Sequence, residues 1–205
     1  YLDINNFKHD SDNTVRVLKT ISSLTTKIEQ EAHKRGRNAI KHYIDSHTCI
    51  PLWVVTEFMT FGDLNYFYLN CKDELRQKIA RDFTLKYRKT NDLSQSNAIT
   101  PEVIEHINHV TNMFRNAVAH NVINRGPNLS SVRNILGQYD LRLNSQPGVF
   151  ELILSLRLVL DQAEYVEIAN AIKQLLRDGK EQFNPDTMSN ILNSMHFPEE
   201  YEFWL

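Results

Sequence analysis

Thr100-Pro101-Glu102-Val103-Ile104-Glu105-His106-Ile107-Asn108-His109-Val110-Thr111-Asn112-Met113-Phe114-Arg115-Asn116-Ala117-Val118-Ala119-His120 is the stretch that decides the fold class. It opens as helices open. Thr100 can cap, Pro101 sits in the first turn where a missing N–H costs nothing, and Glu102 lies beside the positive end of the helix dipole. Val103, Ile104, Ile107, Val110, Thr111 and Phe114 then recur at helical spacing and mark one apolar face.

The same period appears on both sides of this stretch. Asp12 or Asn13 caps a first helix carrying Val17, Leu18, Ile21, Leu24 and Ile28, and a helix or helix pair runs to about Ser46 with a break near Gly36. Pro51 to Phe61 reads as a short, very apolar helix ended by Gly62, followed by a short buried piece over Asp63 to Asn70. Asp73 to Phe83 is a basic amphipathic helix, and Thr84 to Ala98 is polar enough to be a loop. Ser130 to Leu136 reads as a short helix stopped by Gly137. Phe150 to Leu160 is apolar enough to be helix or strand, and periodicity does not decide between them. Ala163 to Arg177 is helical and closes at Asp178-Gly179. Asn184-Pro185-Asp186 starts a last helix to about Met195, and Phe197 to Leu205 is an aromatic tail in need of a surface. With only six glycines and six prolines, mostly between these segments, the expected fold is an all-α bundle, a single domain over residues 1–205.

Composition narrows the function classes. At 41% hydrophobic and 23% charged residues the chain has the profile of a globular protein, and no apolar run approaches the ~20 residues that span a bilayer. Cys49 and Cys71 are too few and too far apart for a disulfide framework or a zinc motif, which points to reduced thiols and a cytoplasmic location. The first residue is Tyr1 rather than methionine, as a trimmed chain or a fragment would give. A net charge of −2 counts against strong nonspecific nucleic-acid binding, but the charge is uneven. Arg76, Lys78, Arg81, Lys86, Arg88 and Lys89 are grouped against Asp82 alone and could follow an RNA backbone; Lys34, Arg35, Arg37 and Lys41 form a second group. From Asp161 onward nine acids face only Lys173, Arg177 and Lys180. Solvated helix faces explain either basic group equally well.

The end of the quoted helix carries a kit for phosphate chemistry. Arginine grips phosphate with a planar, permanently charged fork, and histidine exchanges protons near neutral pH. Cleavage of RNA by its own 2′-hydroxyl needs a proton acceptor, a proton donor and a stabiliser of the crowded phosphate, with no metal. His120 suits the proton transfers, Arg115 the phosphate, and Asn116 the orientation of either. Five positions place Arg115 and His120 about 140° apart on a regular helix, whereas Asn116 and His120 share a face. A joint site therefore needs a distorted helix end or two copies meeting across a dimer. The bland alternative is an incidental spacing with a histidine favoured by the negative end of the dipole.

Arg115-Asn116-x-x-Ala119-His120-Asn121, with Asn124-Arg125 following, resembles the signature of the Abi-like (abortive infection) proteins of the wider HEPN superfamily. Tyr1-Leu2-Asp3 with Asn6-Phe7 is similar to that family's first motif. Pro51-Leu52-Trp53-Val54-Val55-Thr56-Glu57-Phe58-Met59-Thr60-Phe61-Gly62-Asp63-Leu64 is similar to its second. The resemblance implies a HEPN-type helical bundle and a homodimer with a composite site. It also implies a metal-independent endoribonuclease acting in phage defence or as a toxin, held by an RNA or protein antitoxin. Carried over by position, Arg115, His120 and Asn116 are the catalytic residues. Asn121 stands where a histidine is common in the family, and with Arg125 it would contact RNA. Members generally carry a helical region ahead of the first motif, which here begins at Tyr1. A non-catalytic helical RNA-binding or protein-interaction module retaining the fold is the alternative.

Other sites are weaker. His106 and His109 are three apart, and His42, His47 and Cys49 are near one another, but neither set has a metal-ligand spacing; no metal and no cofactor are expected. Trp53, Phe58, Phe61, Tyr66, Phe67 and Tyr68 suit a core or a dimer surface, with base stacking the alternative. Glu57, a charge in an apolar helix, is expected to pair with a buried arginine, Arg115 or Arg125, and so orient the site.

Overall fold

A computed structural model describes residues 1–94, 98–120 and 148–205. Among them every extended regular element is helical, so the chain is all-α. The order is α1 (Thr14–His33), α2 (Ala39–Ser46), α3 (Leu52–Thr56), α4 (Phe61–Asn70), α5 (Asp73–Thr90), α6 (Pro101–Ala119), α7 (Val149–Leu156), α8 (Gln162–Gln182), α9 (Pro185–Ser194) and α10 (Tyr201–Trp204). Two compact units, Tyr1–Gln77 and Lys78–Leu205, divide within α5. The region that includes Ser130 to Leu136 lies outside the described residues.

In the first unit α1 is the common partner, packing on α2, α3, α4 and a 3-10 turn over Ile4–Asn6. Val17 and Leu24 from α1, Ile40 from α2, and Val54 and Val55 from α3 are almost wholly buried. Each such side chain contributes roughly 1.5–3 kcal/mol. Asn13 is the N-cap of α1, as expected, but its side chain makes no capping bond; in the turn ahead of the helix Asp10 Oδ1 accepts the backbone N–H of Asp12 at 3.0 Å and of Asn13 at 2.8 Å. The Asn13 side chain instead donates to that carboxylate. The break between α1 and α2 is centred on Gly36, whose φ of +90° lies where side-chain-bearing residues are strained.

The apolar segment after Pro51 is two helices rather than one. Here α3 ends at Glu57, and Gly62 lies inside the first turn of α4 instead of stopping a helix. The reason is a reciprocal cap: Thr60 Oγ1 accepts the Asp63 N–H at 3.1 Å, and Asp63 accepts the Thr60 N–H at 3.0 Å. The N-terminal segment then clasps the end of α4. Phe7, 1% exposed, meets Phe67 edge to face at 5.5 Å. Lys8 N–H donates to the Asn70 carbonyl at 2.9 Å, and the Lys8 ammonium pairs with Asp73. Within the core Asn70 Nδ2 donates to Thr20 Oγ1 at 2.8 Å, so neither buried polar group is orphaned.

In the second unit α5 continues to Thr90, past the expected end at Phe83. Ala80, Thr84 and Tyr87 are buried at helical spacing, and that packing overrides the polar composition of the segment. Thr84 also ties the returning chain: its hydroxyl accepts the Ile99 N–H at 2.9 Å. Phe150 to Leu156 is resolved as helix, and α6 packs on α7. Likewise α8 does not close at Gly179 but runs to Gln182, started by a reciprocal cap between Asp161 and Glu164. The aromatic tail finds its surface on α7, where Phe197 stacks at 4.9 Å on the fully buried Phe150 and Tyr201 meets Phe197 at 5.5 Å.

Candidate functional site

Helix α6 begins as its sequence reads, with Thr100 accepting the Val103 N–H at 3.4 Å and Pro101 in the first turn. Val103, Ile104, Ile107 and Val110 are buried, and they anchor the first half of the helix. The second half emerges. Thr111 to Phe114 are half-buried, and Arg115, Asn116, Val118, Ala119 and His120 are exposed. Burial of the apolar turns thus carries the polar end of one rigid helix to the surface, where water and a substrate can reach it.

Asn116 touches both members of the proposed pair. Its side-chain Oδ1 accepts from Arg115 Nη1 at 3.4 Å, and its backbone carbonyl accepts the His120 N–H at 3.0 Å. His120 is the C-cap of α6, with φ −101° and ψ 10°. That φ is about 40° from the helical value, as expected of a residue that ends a helix. Asn121 and Arg125 lie outside the described residues.

The remaining candidates are placed individually. Glu57 is exposed at the end of α3, and Arg115 is exposed as well. The burial from which a Glu57–Arg115 pairing was expected holds for neither residue; the Arg125 option falls outside the described residues. Arg76 leaves the solvent-facing basic group: it is 6% exposed, stands over the Tyr68 ring at 5.2 Å and pairs with Asp73 at 3.6 Å. Lys86 pairs with Asp161 at 2.9 Å. Lys78, Arg81 and Lys89 are exposed and Arg88 is half-buried. Trp53 and Tyr66 are exposed, whereas Tyr68 is buried. His106 is held below the usual histidine range by burial, with the charge of His109 adding to the effect. Among the described residues no group of three or more His, Cys, Asp or Glu is placed to hold a metal ion. No helix among them is long and apolar enough to cross a membrane.

One titratable group escaped the sequence reading. Glu151 on α7 is 6% exposed, and among the described residues neither carboxylate oxygen has a hydrogen-bond partner. Burial pushes its carboxyl up to about 7. The one available signal was a lone acid inside the apolar run Val149 to Leu154.

Comparison with known proteins agrees with the motifs. A family model described as "Abi-like protein" matches residues 1–123, from the first motif through His120. No curated protein and no solved structure matches.

Proposed function

Because the chain belongs to the Abi-like protein family, whose name points to abortive infection as a phage defence, we propose that it is a metal-independent endoribonuclease of the HEPN type. The observation that carries the reading is the exposure of Arg115, Asn116 and His120 together at the end of α6, with Asn116 bonded to both of the others. In the proposed reaction the RNA 2′-oxygen attacks the adjacent phosphorus and the bond to the 5′-oxygen breaks. His120 accepts the 2′-hydroxyl proton, an imidazolium protonates the leaving 5′-oxygen, and Arg115 neutralises the phosphate in between. The products are a 2′,3′-cyclic phosphate and a 5′-hydroxyl.

One histidine per chain does not supply an acid and a base at once. A homodimer does, with one protomer's His120 as acceptor and its partner's as donor. Val118, 64% exposed on the same turn, is apolar surface that a second copy would cover. Lys78, Arg81 and Lys89 would contact RNA phosphates, and Asn121 and Arg125 complete the proposed set. An RNA or protein antitoxin is the proposed restraint on a nuclease of this kind, used as a toxin in the cytoplasm.

Cleavage of single-stranded RNA in EDTA by wild type, Arg115→Ala and His120→Ala tests the reading. Loss of at least about a hundredfold in each variant is expected. Equal cleavage by all three proteins would dismiss these residues. An inactive wild type that still binds RNA would establish the non-catalytic module instead.

A further inference from the structure

The stretch from Asp161 to Leu205 holds nine acids and only three cations, Lys173, Arg177 and Lys180. All three line one pocket of about 220 Å³, together with Leu176, Tyr201 and Glu202. The positions 173, 177 and 180 fall on one face of α8 at four- and three-residue steps, so the helix itself gathers them. An even spread of charge over an acidic surface would leave these cations apart and each beside an acid. Among the described lining residues the one carboxylate is that of Glu202, bonded to Lys180 at 2.7 Å. Three positive charges against one give these lining residues a net charge of +2.

The wall behind the cations is polar. Tyr201 is 5% exposed, and its buried hydroxyl lies beside the Lys180 ammonium and the Glu202 carboxylate, in contacts too loose to count as full hydrogen bonds. Lys180 Nζ also stands over the ring, 5.4 Å from its centroid. A hydroxyl held this loosely keeps a proton to donate to an anion in the pocket.

We propose that this pocket binds a phosphate group, as a monoester or a pyrophosphate, through Lys173, Arg177, Lys180 and the Tyr201 hydroxyl. A dianion matches the excess charge. The planar guanidinium of Arg177 presents paired donors to phosphate oxygens, and the ammonium groups close around the remaining oxygens. The volume admits the phosphate and leaves the rest of a nucleotide outside, since pockets that enclose whole ligands of that size are generally larger. The phosphate can come from a free nucleotide or from the end of an RNA chain. Neither source requires His120 or Arg115, so this inference stands apart from the proposed nuclease.

Calorimetric titration of the full chain with sodium pyrophosphate, at constant ionic strength against a chloride blank, tests it. Lys173→Ala/Arg177→Ala is expected to weaken binding by about tenfold or more, and Tyr201→Phe by a smaller factor. Glu202→Gln removes the opposing charge at an exposed position and is expected to tighten binding about threefold. That gain does not depend on how well the double variant folds. A second arm uses 2′-O-methylated oligonucleotides, which cannot be cleaved by internal attack, with and without a 5′-phosphate. Preference for the phosphorylated chain, lost in the double variant, assigns the pocket to RNA ends; pyrophosphate binding without that preference assigns it to free nucleotides. The proposal is overturned if neither probe binds, or if wild type, Glu202→Gln and the double variant bind pyrophosphate equally.

Discussion

The Asn116 carbonyl accepts the His120 N–H at 3.0 Å, so the main chain of one proposed site residue sets the position of another. Among the described residues the Asn116 side chain bonds to Arg115, at 3.4 Å. The two roles separate under mutation. Asn116→Ala keeps the backbone bond and is expected to lower RNA cleavage by about tenfold, well short of the loss in His120→Ala. His120→Ala, at an exposed cap, is expected to change stability by no more than about 0.5 kcal/mol. Cleavage rates beside urea unfolding of the same proteins check this; a His120→Ala protein that loses stability and activity together would make His120 a structural residue.

Glu151 gives the fold a pH dependence of known sign. An unfolded glutamate titrates near ~4.3, whereas burial holds Glu151 at about 7 in the native state. Between those values the native protein binds a proton that the unfolded chain has released. The stability of the neutral form is therefore fully present below the lower value and is lost as pH rises through the higher one, a change on the order of 3 kcal/mol. Glu151→Gln should flatten the profile. Urea midpoints of both proteins at about pH 5 and about pH 8 read the difference, and parallel profiles would rule Glu151 out as its source.

Gly148 is required by its neighbours and not by its backbone. Its φ of −161° is open to any residue, but a Cβ added there would lie 2.7 Å from His196 Cβ and 3.0 Å from the Met195 carbonyl oxygen. Neither can swing away as the end of a flexible side chain could. Gly148→Ala is expected to cost about 1–3 kcal/mol by displacing the turn that carries Phe197 onto Phe150. Thermal unfolding measures the loss, and an unchanged midpoint would show that the turn yields freely.

The reciprocal cap of α4 predicts a smaller effect. Thr60→Ala removes the acceptor of the Asp63 N–H at an exposed position where no packing is lost, and should cost about 1 kcal/mol. Thr60→Ser should restore most of it. Denaturant midpoints for the two variants decide whether the hydroxyl or the methyl group of Thr60 matters.

Much of the fold is legible in the sequence because it is written in local chemistry. The Thr100-Pro101-Glu102 start, the break at Gly36 and the Asn184-Pro185 start each depend on one or two residues and their own backbone. Helix ends governed by distant packing are not legible in this way. Helix α5 outruns its apolar pattern because Thr84 and Tyr87 are buried by other segments, and α8 passes through Gly179 where composition suggests a stop. The motifs divide along the same line. Asp3 accepts the Asn5 N–H at 2.8 Å, Phe7, Val54 and Val55 are core, and Thr60 and Asp63 form a cap. Two of the three motifs thus carry core and cap residues of the first unit, whereas the third ends in Arg115, Asn116 and His120, exposed at the end of α6. Glu151 was hidden for another reason: its chemistry arises from what surrounds it, and no spacing encodes it; in α8 spacing gathers three cations, but only the fold brings Tyr201 and Glu202 to them.

The two cysteines differ in a way that bears on any measurement of assembly. Cys71 is buried, and burial pushes its thiol up to about 11, whereas Cys49 is exposed. A thiol reacts as its thiolate, so alkylating dyes and oxidants will find Cys49 first. Each chain therefore offers one accessible thiol, a ready point for attaching a single fluorophore remote in sequence from His120. The same sulfur can couple two chains covalently during storage in air. Dimers counted by light scattering thus carry meaning for the proposed composite site only when they persist in reductant or in Cys49→Ser.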